Sequence, residues 1–112
     1  MFGKFKEMGN LVKKAKEMKK EMEDVQKSLK NEKILGENSS KTVKVLLDGE
    51  LKCLGIQVSP ELLATGTKGE KEKKAVEKEI TDAFNDAAKK AKTLASSRLS
   101  KVSQGLDIPG LT

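Results

Sequence analysis

The chain has 112 residues, of which 36% are apolar and 3% aromatic, so we expect one domain spanning 1–112 with a small core. It contains no histidine and one cysteine, which excludes an internal disulfide and a Cys/His zinc site within one chain. Catalytic pairs of the Ser-His or Cys-His type are excluded for the same reason. We therefore expect no enzymatic activity, no cofactor, no metal and no small-molecule substrate.

The cysteine content and the absence of long apolar segments indicate a cytoplasmic protein. A lone cysteine, Cys53, suits a reducing compartment, where we expect it to be a small, partly buried residue of a strand. No apolar run approaches about 18 residues, and no signal-peptide pattern is present. A membrane is therefore not an expected partner.

The positive charge is concentrated in two segments. The formal net charge is +6, while residues 4–33 and 68–101 each carry ten basic against six acidic residues and 34–67 carries three against four. Basic charge of this kind favours an anionic partner but says nothing about the fold.

The first basic segment predicts a long amphipathic helix over residues 4–32. Its apolar residues recur at the two inner positions of a heptad, which is typical of a coiled-coil seam. A helix of about 28 residues is roughly 42 Å long and would overhang a domain of this size. We therefore expect a homodimer whose subunits meet along this seam. The predicted dimerisation seam comprises Met8, Leu11, Ala15, Met18, Met22, Val25 and Leu29.

The outer face of the same helix carries a row of lysines seven residues apart. Such a row would be roughly 31 Å long, close to the roughly 34 Å of one turn of B-DNA. Outer heptad positions are often lysine merely because they face water, and Glu17, Glu23 and Asp24 make one flank acidic. The basic excess of the second segment favours a role of these lysines in anion binding over mere exposure to solvent. The candidate nucleic-acid contacts are Lys6, Lys13, Lys16, Lys20, Lys27, Lys89, Lys90, Lys92 and Arg98.

The middle of the chain predicts three short strands, over residues 34–36, 42–47 and 51–58. Apolar residues alternate in the last two, and Asp48-Gly49 between them is a hairpin signal. A two-residue loop at Asp48-Gly49 would pair Val45 with Lys52 and so place apolar and polar side chains on the same face of the sheet. We therefore expect a longer loop or a bulge. A four-residue loop would pair Val45 with Leu54 and Val43 with Ile56.

Helix signals resume after the third strand. Ser59-Pro60 predicts a single helical turn over 60–63, and Thr67 with Glu70 fits a capping box after a loop over 64–69. A second long helix then runs to Val102, followed by a loose tail over 103–112. We therefore expect an α+β fold with a long N-terminal helix, a small antiparallel β-meander and a long C-terminal helix. The apolar face of the second helix comprises Val76, Ile80, Ala83, Phe84, Ala87, Ala88, Ala91, Leu94 and Ala95.

The composition also indicates the kind of nucleic acid. No aromatic side chain is placed to stack on bases, which argues against a single-strand or sequence-reading RNA module. Arginine, the usual reader of guanine, is nearly absent. Lysine contacts to phosphate position a protein without reading sequence. Double-stranded DNA held through its backbone is the expected partner, and a structural or adaptor dimer that binds another protein is the alternative.

Four stretches, over residues 9–18, 43–49, 56–63 and 83–91, and a tail over 105–110 follow one another along nearly the whole chain. In this order they resemble the YbaB/EbfC family of bacterial nucleoid-associated proteins. The resemblance implies an α-β-β-β-α fold, a homodimer with projecting helices, DNA binding, and a role in nucleoid organisation or gene regulation. The sequence departs from the family over 64–73, where members often have an acidic, leucine-containing stretch.

Overall fold

The computed structural model describes the backbone of residues 2–104 and the side chains of residues 7–102. It confirms the predicted α+β class and the order of the long helices and the three strands. No helix among residues 2–104 is long and apolar enough to span a membrane. The elements are α1 (Phe2–Lys30), β1 (Ile34–Glu37), β2 (Val43–Leu47), β3 (Cys53–Val58), α2 (Pro60–Gly66) and α3 (Glu70–Gln104).

The three strands form an antiparallel sheet in the order β1-β2-β3. Val43, Val45 and Leu47 alternate along the central strand and are fully buried, as the period of two predicts. They pack with Ala83 and Ala87 of α3 to form the core. α3 lies over β1 and β2, and burial of these side chains supplies the main stabilisation of the sheet.

Gly36 of β1 marks the closest approach between the sheet and α3. A Cβ atom added there would lie 2.3 Å from the amide nitrogen of Ala87 and 2.5 Å from the carbonyl oxygen of Ala83. The small residues on α3 therefore allow its backbone to touch the strand. Any side chain at position 36 would push the helix away.

Polar side chains fix the β1–β2 connection to α3. Asn38 is buried, and its Oδ1 accepts the Val43 N–H at 2.9 Å. Its Nδ2 donates to Thr42 Oγ1 at 2.7 Å and to the carboxylate of Glu79 on α3. Because every polar atom of this buried amide is engaged, the connection avoids the cost of an unsatisfied group.

The β2–β3 loop packs on the end of α1. The Gly49 N–H donates to the Leu29 carbonyl at 2.7 Å, and a Cβ at Gly49 would lie 2.6 Å from that oxygen. The Asp48 carboxylate accepts the N–H groups of Glu50 and Lys52 at 2.8 and 2.9 Å. The loop therefore satisfies a carbonyl at the C-terminus of α1 that has no partner within the helix.

The expected bulge is present, but the predicted strand pairs are wrong by two residues. Val45 pairs with Ile56 and Val43 with Val58, and the register shifts beside Leu46 and Leu47. One residue of the shift comes from the loop, which includes Lys52, whose carbonyl accepts the Asp48 N–H at 2.9 Å. The other comes from Leu54, which has no partner on β2 between the Leu47–Cys53 and Leu46–Gly55 pairs. The shift is even, so the buried face of β2 is preserved.

The predicted capping box at Thr67 is wrong. α2 continues to Gly66 instead of ending at residue 63, and Thr67 closes its C-terminus. The Thr67 hydroxyl donates to the Ala64 carbonyl at 2.7 Å, and α3 begins at Glu70, so Gly69 and not Thr67 directly precedes that helix. The Ser59 cap and Pro60 start are confirmed, since Ser59 Oγ accepts the Leu62 N–H.

Burial is uneven along the predicted apolar face of α3. Phe84 is 37% exposed, whereas Ala83, Ala87 and Ala91 beside it are fully buried. The predicted partial burial of Cys53 is wrong. Cys53 is exposed because β3 is an edge strand beyond the cover of α3. The predicted tail begins two residues too early, since α3 includes 103 and 104, and residues 105–112 lie outside the described part.

The molecule divides into a body and an arm. The body comprises residues 34–88, and the arm comprises α1 with residues 89–104 of α3. The principal extents are 79 × 25 × 18 Å and the radius of gyration is 21.9 Å, whereas a compact chain of this length would have about 13 Å. The arm therefore projects far from the core.

Candidate nucleic-acid interface

The arm is built by antiparallel packing of α1 against the end of α3. Arg98 of α3 lies beside Ser28 and Glu32, and Lys101 lies beside Glu21 and Asp24, so the two helices run in opposite directions. Val102 is buried and lines a groove together with Val25 of α1, and Leu29 is buried one turn further along α1. The arm therefore has a small apolar core of its own.

Arg98 joins the two helices. Its guanidinium donates to Ser28 Oγ at 2.8 Å and forms an ion pair with the Glu32 carboxylate. The Arg98 side chain is only 26% exposed, so the ion pair is partly shielded from water. Arg98 was predicted to contact nucleic acid, and in the structure two of its guanidinium nitrogens donate to partners within the chain.

The predicted dimerisation seam is divided between two environments. Leu29 is buried, and Val25 and Met18 are half-buried, because this half of the seam packs against α3 of the same chain. Met8 and Leu11 are 63% and 49% exposed, and every described side chain over residues 7–17 is exposed. The N-terminal half of the seam is therefore open.

The lysine row lies on the face of α1 that points away from α3. Lys13, Lys16, Lys20 and Lys27 are all exposed. None of the four has an ion pair with a described side chain in 7–102. Their charges are therefore not neutralised by neighbouring acids at contact distance. The Lys6 side chain lies outside the described residues.

The predicted lysines of α3 differ in their engagement. Lys89 and Lys92 are exposed. Lys90 forms an ion pair with Asp86 at 3.1 Å and donates to the Leu35 carbonyl at 3.2 Å, so it helps to hold β1 on the helix. Lys89 and Lys92 are therefore better placed than Lys90 to meet a ligand.

Asp86 anchors this part of the body. It accepts the Glu37 N–H at 2.9 Å, and this bond, with the adjacent Lys90 ammonium, holds the pKa of the Asp86 carboxyl below its usual range. Both contacts favour the ionised form. Asp86 is therefore a structural anion between α3 and β1.

The two long sides of the arm differ in charge. On one side, Met18 and Met22 face Ala95 and Leu99 across an open groove of about 680 Å³, which we call the Met groove. Lys92 lines this groove, and Lys19 lines its extension along α1. On the opposite side, a groove of about 320 Å³ is lined by Glu21, Asp24, Val25, Arg98, Lys101 and Val102.

Sequence reasoning did not include Lys19 among the candidate contacts. Its position eleven residues before Lys30 places both on one side of α1, three helical turns apart. That periodicity was visible in the sequence, but only the packing of α3 shows which side of α1 adjoins the Met groove.

The described side chains are better suited to binding anions than to binding a metal ion. Among residues 7–102, no group of three or more histidine, cysteine or carboxylate side chains could hold a metal ion. Exposed lysines offer several donors each and match phosphate oxygens as point charges.

The comparison with known families matches this arrangement. The model of the YbaB/EbfC DNA-binding family matches residues 4–106, nearly the whole chain. The chain belongs to this family. Members of the family are DNA-binding, nucleoid-associated proteins, which agrees with the basic helices described above.

A solved structure has a similar fold. The crystal structure of the uncharacterised protein HP0035 from Helicobacter pylori superposes with a TM-score of 0.59 and 21% sequence identity. The match covers 82% of this chain and 98% of that protein. At this identity the likeness establishes the fold alone.

Proposed function

We propose that this YbaB/EbfC protein binds duplex DNA through contacts between the lysines of the arm and backbone phosphates. The single observation that carries the proposal is the set of exposed lysines on α1, Lys13, Lys16, Lys20 and Lys27, without ion pairs to described side chains in 7–102. Lys89 and Lys92 extend the basic surface onto α3. Such contacts release condensed counterions, so binding weakens steeply as salt rises.

The contacts give little sequence preference. Arg98 is the only arginine of the chain, and its guanidinium is bound to Ser28 and Glu32. Lysine ammonium groups on phosphates do not distinguish base pairs. The protein therefore organises DNA in the cytoplasmic nucleoid, and any effect on gene expression follows from where it accumulates.

A second copy of the chain completes the DNA-binding unit. β3 is an edge strand over Cys53–Val58, and it contains neither charge nor proline, although monomeric proteins usually protect such edges with these residues. Leu54 and Ile56 are 45% and 50% exposed on it. Pairing of two β3 strands about a two-fold axis would cover both, and it would leave the arms projecting.

The DNA proposal is tested by electrophoretic mobility shift with two unrelated duplexes at several salt concentrations. Both duplexes are expected to bind with equal affinity. The logarithm of the association constant should fall linearly with the logarithm of the salt concentration. Replacing Lys13, Lys20 and Lys27 by glutamine removes up to three phosphate contacts, so the salt slope should become shallower by about 3.

The matched control replaces Lys71, Lys73 and Lys74 by glutamine. These lysines are also exposed, and replacing them removes the same charge. Because they lie in the body among glutamates, their replacement should leave the salt slope unchanged. Equal effects of the two triple variants would show that only net charge matters. Absence of any shift at low salt would refute DNA binding.

The dimer proposal is tested by light scattering at micromolar concentration. Ile56→Glu places a charge in the β3 pairing and should give a monomer, while Leu11→Glu on the exposed seam of α1 should remain dimeric. The reverse result would locate the dimer on the seam. A monomeric unmodified protein would refute dimerisation.

An adaptor that binds another protein is the second candidate, because the Met groove presents apolar side chains that phosphate contacts do not use. Methionine-lined surfaces suit varied protein partners. A protein that fails to shift either duplex at low salt, yet binds a purified partner through Met22 and Leu99, would favour this function.

A further inference from the structure

The two sides of the arm carry different net charge, although their lysines look alike in the sequence. On the Met-groove side, Lys19 and Lys92 line the groove itself. Lys16 lies one turn before Lys19, Lys30 three turns after it, and Lys89 one turn before Lys92, so helical geometry places them on the same side. Glu23 is the one acidic residue that lines this groove system among the described side chains.

The opposite side is close to neutral. Its groove is lined by Glu21 and Asp24 as well as by Arg98 and Lys101. Arg98 is further committed to Glu32 through an ion pair. Glu17 and Lys14 lie one and two turns before Glu21, so four acidic residues stand beside three basic ones on this side. Acids and bases at these distances offset each other's field at the surface.

A phosphate backbone discriminates strongly between two such sides. The free energy of non-specific DNA binding comes almost entirely from lysine and arginine charges that replace counterions. A carboxylate beside a lysine both lowers the local potential and repels phosphate. Contact through the near-neutral side would therefore lose most of the available binding energy.

We propose that the Met-groove side of the arm is the side that faces DNA, with Lys16, Lys19, Lys30, Lys89 and Lys92 as its phosphate contacts. This inference rests on the proposed DNA-binding function. Arg98 then acts as a positioning residue that holds α3 against α1, so that Lys92 and Lys19 form one surface. The lysine row Lys13–Lys20–Lys27 forms the outer edge of that surface.

The experiment compares two double charge reversals that change the net charge equally. Lys19→Glu with Lys92→Glu alters the Met-groove side, and Lys14→Glu with Lys101→Glu alters the opposite side. Lys14 belongs to the opposite side because it lies two turns before Glu21. Each variant changes one exposed lysine on each helix. Far-ultraviolet circular dichroism and the thermal midpoint verify that both variants fold.

The Met-groove variant should lose about tenfold or more in affinity for a 30-base-pair duplex, with a salt slope shallower by about 2. The opposite variant should lose far less, and its slope should be unchanged. Equal losses, or a larger loss in the opposite variant, would overturn the assignment of the side. If the unmodified protein itself does not bind the duplex, the proposed function fails instead, so the two failures are distinguishable.

Discussion

The body and the arm of this protein are stabilised differently. In the body, Val43, Val45 and Leu47 have no exposed surface, and the backbone of α3 touches β1 at Gly36. In the arm, residues 7–17 of α1 are exposed on all sides, and no Cβ at Gly9 would meet another atom within 4 Å. The body is thus specified by close packing, whereas the arm offers a charged surface with little packing to constrain it.

This difference predicts that the same substitution has opposite effects in the two regions. Gly36→Ala places a Cβ into the backbone of α3, so it should destabilise the protein by about 3 kcal/mol. Gly9→Ala meets nothing and improves helix propensity, so it should stabilise α1 by about 0.5–1 kcal/mol. Urea denaturation followed by circular dichroism measures both.

A small decrease in the free energy of unfolding for Gly36→Ala would show that α3 can move away from the sheet and that the body is not closely packed at this point. Destabilisation by Gly9→Ala would show instead that a surface covers Gly9 in solution, for example one from a second subunit.

The packing of α1 against α3 in the arm depends on Arg98. Replacing it with methionine keeps the apolar stem but removes the donors to Ser28 and Glu32, which should cost about 1–2 kcal/mol. Lys101→Met is the matched control, because Lys101 has no ion pair with a described side chain. Similar unfolding free energies for the two variants would mean that the Arg98 contacts do not contribute.

The smallest predicted effect is the pH dependence that comes from Asp86. Since hydrogen bonding by Glu37 and the charge of Lys90 lower the pKa of the folded Asp86, its stabilisation is present above the unfolded value, near pH 4. It is lost as pH falls through the folded value. The Asp86 side chain is 38% exposed, so the contribution is roughly 0.2–1 kcal/mol.

Asp86→Asn keeps a hydrogen-bond acceptor but removes this titration. The difference in unfolding free energy between the two proteins should be present at pH 6 and should shrink towards pH 2. A difference in unfolding free energy that stays constant over this pH range would show that the charge of Asp86 does not stabilise the fold.

Local sequence patterns predicted most of the fold, and tertiary contacts account for what they missed. The alternation of Val43, Val45 and Leu47 and the Ser59-Pro60 signal each describe a few adjacent residues, and both were correct. Thr67 has two plausible roles, and only the length of α2 decides that it closes a helix. Phe84 is apolar, but the alanines beside it occupy the space against the sheet.

The candidate interface was less predictable for the same reason. Exposure of Lys13, Lys20 and Lys27 follows from helical periodicity alone. The engagement of Arg98 with Glu32 spans the chain from one helix to the other and has no local signal. The charge difference between the two sides of the arm likewise appears only when α1 and α3 are placed together.

The claim that the arm, and not the body, meets DNA has a direct test in methyl spectroscopy. The four methionines of the chain all lie within residues 1–22, while Ile34, Ile56 and Ile80 lie in the body. On addition of a duplex, the methyl signals of Met18 and Met22 should shift, and those of Ile34 and Ile80 should not. Shifts confined to the isoleucines would contradict the account.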